Sequence, residues 1–181
     1  MYSDWYDWID KEIQNRHGIS IIRLKMPNWH QPNIAESAQY LFSQIDQLTP
    51  STYFIAHSVG CQAVIRFLAT KIETDPGLKI GGLLFVAAWI NVVKSWSTLD
   101  PWLNNATLPY QAIANRSASR KVVISDNDPF TPDYKANETL WHDQLHADVT
   151  LCHGRAHFNG AIEPAVLEAF EDMMSANPSI P

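Results

Sequence analysis

The run IGGLLFVAA at positions 80–88 contains no charged side chain and no strongly polar one. A strand of this composition needs cover on both faces, which is typical of parallel sheets that lie between layers of helices. Four other runs rich in apolar or β-branched residues predict further strands, at 19–26, 52–57, 121–125 and 148–153.

Helical patterns separate the predicted strands. Periodic apolar residues and capping signals predict helices over 3–17, 33–48, 59–71, 131–146 and 163–175. This alternation indicates an α/β fold with a mostly parallel sheet of about five strands and helices on both faces. With 181 residues, the chain is expected to form a single domain over 1–181.

Composition excludes several classes of function. The net charge is −6 and the acidic residues are scattered, which gives no basic surface for nucleic acid or an anionic membrane. The longest apolar run is about half the length that spans a bilayer.

Two cysteines, Cys61 and Cys152, indicate buried thiols in a reducing compartment, so we expect a cytoplasmic protein. No dinucleotide fingerprint is present, and we expect no cofactor.

The segment AHSVG at 56–60 joins a predicted strand to a predicted helix. It nearly matches the pattern G-x-S-x-G, which marks a strained turn that exposes a nucleophilic serine. Small residues at the first and last positions of this pattern allow close approach of neighbouring backbone. Ser58 is therefore the candidate nucleophile, and the Val59 N–H at the start of the helix is a candidate oxyanion donor.

A serine nucleophile needs a base and an acid that orients the base. Two segments supply them after later strands, SDNDPF at 125–130 and HGRAHF at 153–158. Asp126 or Asp128 is the candidate acid, and His153 or His157 is the candidate base. His57 adjoins the serine on the strand, and we expect it to pack or to form hydrogen bonds on the opposite face.

Four segments together resemble the YdeN type of small single-domain α/β-hydrolases: WYDWIDKEI, AHSVGCQAVIRFLA, SDNDPFTP and GRAHFNG. The resemblance covers nearly the whole chain and is weakest over 89–119. It implies Ser58 as nucleophile, Asp128 rather than Asp126 as acid, and His157 as base. It also implies hydrolysis of an ester or amide through an acyl-enzyme.

The resemblance implies a further strand and a glycine-containing loop before the first helix. That strand would lie beside the serine-bearing strand, and its loop would give a second oxyanion donor. We therefore expect the native chain to start upstream of Met1. For the chain as given, we expect a gapped sheet, or a gap closed by rearrangement of a strand or by a partner.

Residues 89–119 are long for a connection and contain three of the seven tryptophans. We expect them to cover the site, with Trp89 as a candidate wall of a pocket for a small acyl or peptide substrate. An alternative function is a catalytically impaired or non-catalytic, protein-binding member of the same fold. A metal site at His142 and His146 is a weaker alternative, because the pair lacks the glutamate of a zinc protease pattern.

Overall fold

The computed structural model describes residues 5–90, 97–103 and 108–176. The strands are β1 (Tyr53–His57), β2 (Ile80–Val86), β3 (Ser117–Ser125) and β4 (Asp148–Cys152). The α-helices are α1 (Trp5–His17), α2 (Ile34–Gln44), α3 (Val59–Thr74), α4 (Tyr110–Ala114), α5 (Tyr134–Leu145) and α6 (Pro164–Ser175). Within these ranges no helix is long and apolar enough to cross a membrane.

The four strands form one parallel sheet in the order β1-β2-β3-β4. Each strand therefore pairs with the next one along the chain, with a helical connection between them. The register ends with His57 beside Val86 and Ser125 beside Cys152. Because all four strands point the same way, the segments that follow them emerge at one edge of the sheet.

Strand β2 shows why the sheet must be covered on both faces. All seven of its residues are buried. Leu83 and Phe85 pack into a core with side chains of α2, α3 and α5, whereas Leu84 and Val86 pack into a second core with α1 and α6. The alternation follows from the two-residue period of a strand. The predicted α/β architecture with helices on both faces is confirmed.

The predicted strand at 19–26 is wrong, so the sheet in the described part of the chain has four strands rather than five. Ile19 and Ile21 pack on the α1 and α6 side, while Leu24 and Met26 pack on the opposite side. The segment thus passes from one core to the other. A strand also needs a partner for its backbone hydrogen bonds, and the described residues place no strand beside β1 on the side away from β2.

The described part of the long connection after β2 contains two helical segments. A 3₁₀ helix spans Ser97–Leu103, and α4 follows it. Trp102 is buried in the 3₁₀ helix, and its indole N–H donates to the Pro32 carbonyl at 2.8 Å. This bond ties the connection to the loop before α2. Trp96 lies outside the described residues.

The helix boundaries shift by a few residues from their predicted positions. The Asn33 side chain caps α2 by accepting from the Glu36 N–H at 3.1 Å, as its sequence spacing predicts. Helix α5 begins at Tyr134, later than the predicted start at 131, because the Asp133 side chain caps it by accepting from the Ala136 N–H at 3.1 Å.

The glycine pair at the start of β2 meets a close approach of the chain. A Cβ atom at Gly81 would lie 2.6 Å from the Pro50 carbonyl oxygen and would overlap the ring of Tyr53. A Cβ atom at Gly82 would lie 2.6 Å from the Met173 sulfur. A backbone carbonyl oxygen cannot move aside as a flexible side chain can. We therefore infer that position 81 requires glycine more strictly than position 82 does.

The substitution Gly81→Ala is expected to lower the free energy of unfolding by about 1–3 kcal/mol, because the added methyl group forces the backbone apart. Urea denaturation of both proteins measures this difference. The control is Gly77→Ala, since a Cβ atom there meets nothing closer than 3.4 Å. Equal losses of stability in the two variants would contradict the close approach.

Candidate active site

Ser58 lies at the junction between β1 and α3 in a backbone conformation that L-residues rarely adopt. Its φ is 53° and its ψ is −124°. Its N–H donates to the Val86 carbonyl at 2.9 Å, and its carbonyl accepts from the Cys61 N–H at 3.0 Å. These bonds hold the turn on both sides, which lets the structure keep a conformation that costs about 1–3 kcal/mol.

The residues around the serine fit the predicted turn only in part. Ala56 is buried, in agreement with a tight approach. A Cβ atom at Gly60, however, would meet no atom within 4 Å among the described residues. The expected steric reason for a small residue is therefore not found at position 60.

Three side chains form a continuous chain of hydrogen bonds at the carboxyl edge of the sheet. The Ser58 Oγ lies 2.9 Å from His157 Nε2, and His157 Nδ1 lies 2.8 Å from Asp128 Oδ2. Asp128 is 2% exposed and His157 is 9% exposed. The second oxygen of Asp128 accepts from the Phe130 N–H at 2.9 Å. The carboxylate is thus fixed at both oxygens and faces one edge of the imidazole.

The strand order explains this convergence. Ser58 directly follows β1, Asp128 lies three residues after β3, and His157 lies five residues after β4. The Phe130 ring packs against the His157 imidazole with a centroid distance of 4.6 Å. This contact was not expected from the sequence, where Phe130 is one aromatic residue among many.

The other acid and base candidates pair with each other. Asp126 Oδ2 lies 2.7 Å from His153 Nδ1, and Asp126 Oδ1 accepts from the Gly154 N–H at 2.9 Å. These bonds, the Gly154 bond first, hold the pKa of Asp126 below its usual value. The His153 side chain is 82% exposed and bonds to Asp126, whereas His157 bonds to Ser58.

His57 forms hydrogen bonds, as predicted, and it supports the neighbouring histidine. Its Nε2 lies 2.8 Å from the His157 carbonyl, so that nitrogen carries the proton and donates it. Burial, with a smaller contribution from the charge of His157, lowers the pKa of His57 to about 4. A neutral His57 therefore holds the backbone of His157 at neutral pH. The sequence indicated hydrogen bonding at His57 but not this partner.

The Val59 N–H begins α3, next to the Ser58 hydroxyl in sequence. Among the described residues, none accepts a hydrogen bond from it. An N–H at a helix N-terminus carries part of the positive end of the helix dipole. It is therefore suited to receive negative charge that develops on an oxygen near Ser58.

Trp89 is 1% exposed and lies in the core on the α3 side of the sheet. Its carbonyl accepts from the buried amide of Gln62. A substrate group would reach the Trp89 ring only after the surrounding side chains moved. Its contact with substrate stays a prediction, as does the chemistry of the pocket.

Neither cysteine offers a competing nucleophile. Cys61 is buried, and its thiol donates to the Ala56 carbonyl at 3.3 Å. Burial raises the pKa of the Cys61 thiol, and it also raises the pKa of the Cys152 thiol. Both thiols are therefore protonated at neutral pH, and a thiolate is the form that attacks carbonyl groups.

The two histidines of the weaker metal alternative have separate partners. His142 Nδ1 lies 3.1 Å from the Asp143 carboxylate, and His146 Nε2 lies 2.8 Å from the Gln111 side chain. In the described ranges, no three residues among His, Cys, Asp and Glu are grouped so that they could hold a metal ion.

Comparison with known proteins identifies relatives of this chain and a solved structure with the same fold. A curated protein of Bacillus subtilis (strain 168), "Putative hydrolase YdeN", is 27% identical over 128 residues. The match covers 71% of this chain and 65% of that protein, so the chain spans about two thirds of its relative. The crystal structure of the ydeN gene product from B. subtilis superposes with a TM-score of 0.83 at 24% identity. The superposition covers 94% of this chain and 90% of the YdeN chain, which establishes the shared fold.

A sequence profile of the family described as serine hydrolase matches residues 2–172. The match covers nearly the whole protein and includes Ser58, Asp128 and His157. This protein therefore belongs to the serine hydrolase family, and its fold is that of the YdeN-like α/β-hydrolases.

Proposed function

We propose that this protein hydrolyses carboxylic ester or amide bonds through an acyl-enzyme formed on Ser58. The observation that carries the proposal is the unbroken chain from Asp128 through His157 to Ser58, with both hydrogen bonds below 3.0 Å. Nucleophile, base and orienting acid in this arrangement recur on unrelated folds that perform acyl transfer.

The protonation states follow from the partners of each nitrogen. The Asp128 carboxylate can only accept, so His157 Nδ1 carries the proton that faces it. His157 Nε2 is then unprotonated and accepts from the Ser58 hydroxyl. This is the tautomer that a general base requires.

In the first half-reaction, Ser58 Oγ attacks the substrate carbonyl carbon while its proton moves to His157 Nε2. Asp128 stabilises the imidazolium that forms, and the Val59 N–H donates to the developing oxyanion. Collapse of the tetrahedral intermediate breaks the bond to the leaving group, which takes the proton from Nε2.

In the second half-reaction, water attacks the acyl group on Ser58 and gives its proton to His157. Collapse of the new intermediate releases the carboxylic acid and returns the proton to Ser58. His157 therefore acts as base and as acid in each half. We further propose a small, fairly apolar acyl or peptide group as the substrate, and no cofactor enters these steps.

A fluorophosphonate probe tests the proposed nucleophile, because it reacts with an activated serine hydroxyl. We expect one adduct per chain, found by mass spectrometry on the peptide that contains Ser58. The Ser58→Ala protein is expected to give no adduct. The control Ser51→Ala removes an exposed loop serine and is expected to label like the unaltered protein.

If Ser58→Ala labels as strongly as the unaltered protein, Ser58 is not the nucleophile. If the unaltered, folded protein gives no adduct and hydrolyses no ester, the protein-binding alternative gains the support that the enzyme proposal loses.

Asp128→Asn is expected to lower kcat for an activated ester by about 10³–10⁴-fold. The new amide oxygen can still accept from the Phe130 N–H, so its NH₂ group faces His157 Nδ1. That donor forces the proton onto Nε2, where it blocks acceptance from Ser58. Steady-state kinetics measure the loss.

The control for this variant is Asp133→Asn, which makes the same chemical change at a helix cap where an amide oxygen serves equally well. A kcat for Asp128→Asn within tenfold of the unaltered protein would contradict the role of Asp128.

A further inference from the structure

We propose that Asn127 is a positioning residue that holds the backbone of the base loop, residues 154–157, and through it the His157 imidazole. This inference rests on the proposed function, since it concerns the base of the same site. It assigns a role to a side chain that takes no part in the proton transfers.

Four consecutive residues, beginning with Ser125 at the end of β3, contact four consecutive residues after β4. Asp128 binds the His157 ring, and the three residues before Asp128 bind the three backbone N–H groups before His157. The Gly154 N–H donates to Asp126 at 2.9 Å, the Arg155 N–H to Ser125 Oγ at 3.0 Å, and the Ala156 N–H to Asn127 Oδ1 at 2.7 Å. The segment SDND thus fixes the base loop residue by residue.

Apolar burial anchors only one end of this loop. Phe158 is fully buried, and its carbonyl accepts from the Trp5 indole N–H at 2.9 Å. The residues before His157, from Gly154 to Ala156, are all exposed. Packing therefore holds the chain after His157, whereas the position of the chain before it depends on hydrogen bonds.

The backbone on both sides of the histidine is strained. Ala156 has a φ of 47° and Phe158 has a φ of 51°, both in the left-handed region. Each such residue is destabilised relative to ordinary backbone. At Ala156 this destabilisation is comparable in size to the net stabilisation from one hydrogen bond. Loss of the bond would let the residue relax and shift the ring that follows it.

Asn127 is suited to this position because a single oxygen serves two donors. Its Oδ1 accepts from the Ala156 N–H and, at 2.8 Å, from the Ser125 hydroxyl. The same hydroxyl accepts from the Arg155 N–H, so the two side chains link consecutive backbone groups. An amide N–H can only donate, which identifies the Asn127 atom that faces Ala156 as oxygen.

The test compares Asn127→Ala, Asn127→Asp and a control, Asn115→Ala. Asn115 is an exposed asparagine whose side chain bonds to Gln111 in α4, at the start of β3 rather than its end. With an activated ester, Asn127→Ala is expected to lower kcat by about tenfold and to leave KM within twofold. Asn127→Asp keeps an oxygen acceptor and is expected to recover kcat to within about threefold.

A spectroscopic readout keeps this test independent of turnover. The proton on His157 Nδ1, shared with Asp128, is expected to give a downfield NMR signal in the unaltered protein. We expect the signal to broaden in Asn127→Ala and to persist in Asn127→Asp and Asn115→Ala. Ser125→Ala, which leaves the bond from Ala156 to Asn127 in place, is expected to show an intermediate loss of kcat.

Equal kcat and an unchanged signal in folded Asn127→Ala would overturn the proposal, as would an Asn127→Asp protein as impaired as Asn127→Ala. The proposed function can fail separately. If the unaltered protein shows neither adduct nor turnover while the NMR signal responds as expected, the positioning role stands and the hydrolase proposal does not.

Discussion

The backbone turn at Ser58 is the constraint on which the rest of the site depends. A φ of 53° at a serine is unfavourable, and it persists because its N–H and carbonyl bond to Val86 and Cys61. One bond continues the ladder with β2, and the other starts α3. The same turn carries the hydroxyl, and the Val59 N–H follows it in sequence at the start of α3. Sheet, helix and proposed nucleophile are therefore one structural unit.

The loops after β3 and β4 complete that unit at the same edge of the sheet. Asp128 fixes the ring of His157, Asn127 fixes the backbone before it, and His57 fixes its carbonyl. The imidazole is thus held from three directions before any substrate binds. Because of such preorganisation, acid–base groups need no additional free energy to become aligned when the substrate binds.

Much of this arrangement could be predicted from the sequence, because strand ends and chain order carry it. The apolar run at 80–88 predicts a sheet covered on both faces, and the segments after later strands supply the candidate acids and bases, among which the family resemblance selects Asp128 and His157. The prediction of a strand at 19–26 was wrong, because a run of apolar β-branched residues does not show whether a neighbouring strand is present to pair with it. The proposed role of Asn127 could not be predicted from the sequence either, since it depends on a contact with Ala156, 29 residues further along the chain.

The central claim is that Ser58 and His157 act as one catalytic device. The most direct measurement compares the kcat of Ser58→Ala, His157→Ala and the double variant with the same activated ester. When two groups act as a unit, removing the second after the first causes little further loss of kcat. We therefore predict that the double variant is within about threefold of the more impaired single variant. Losses that multiply in the double variant would show that the two residues act independently, and would contradict the account.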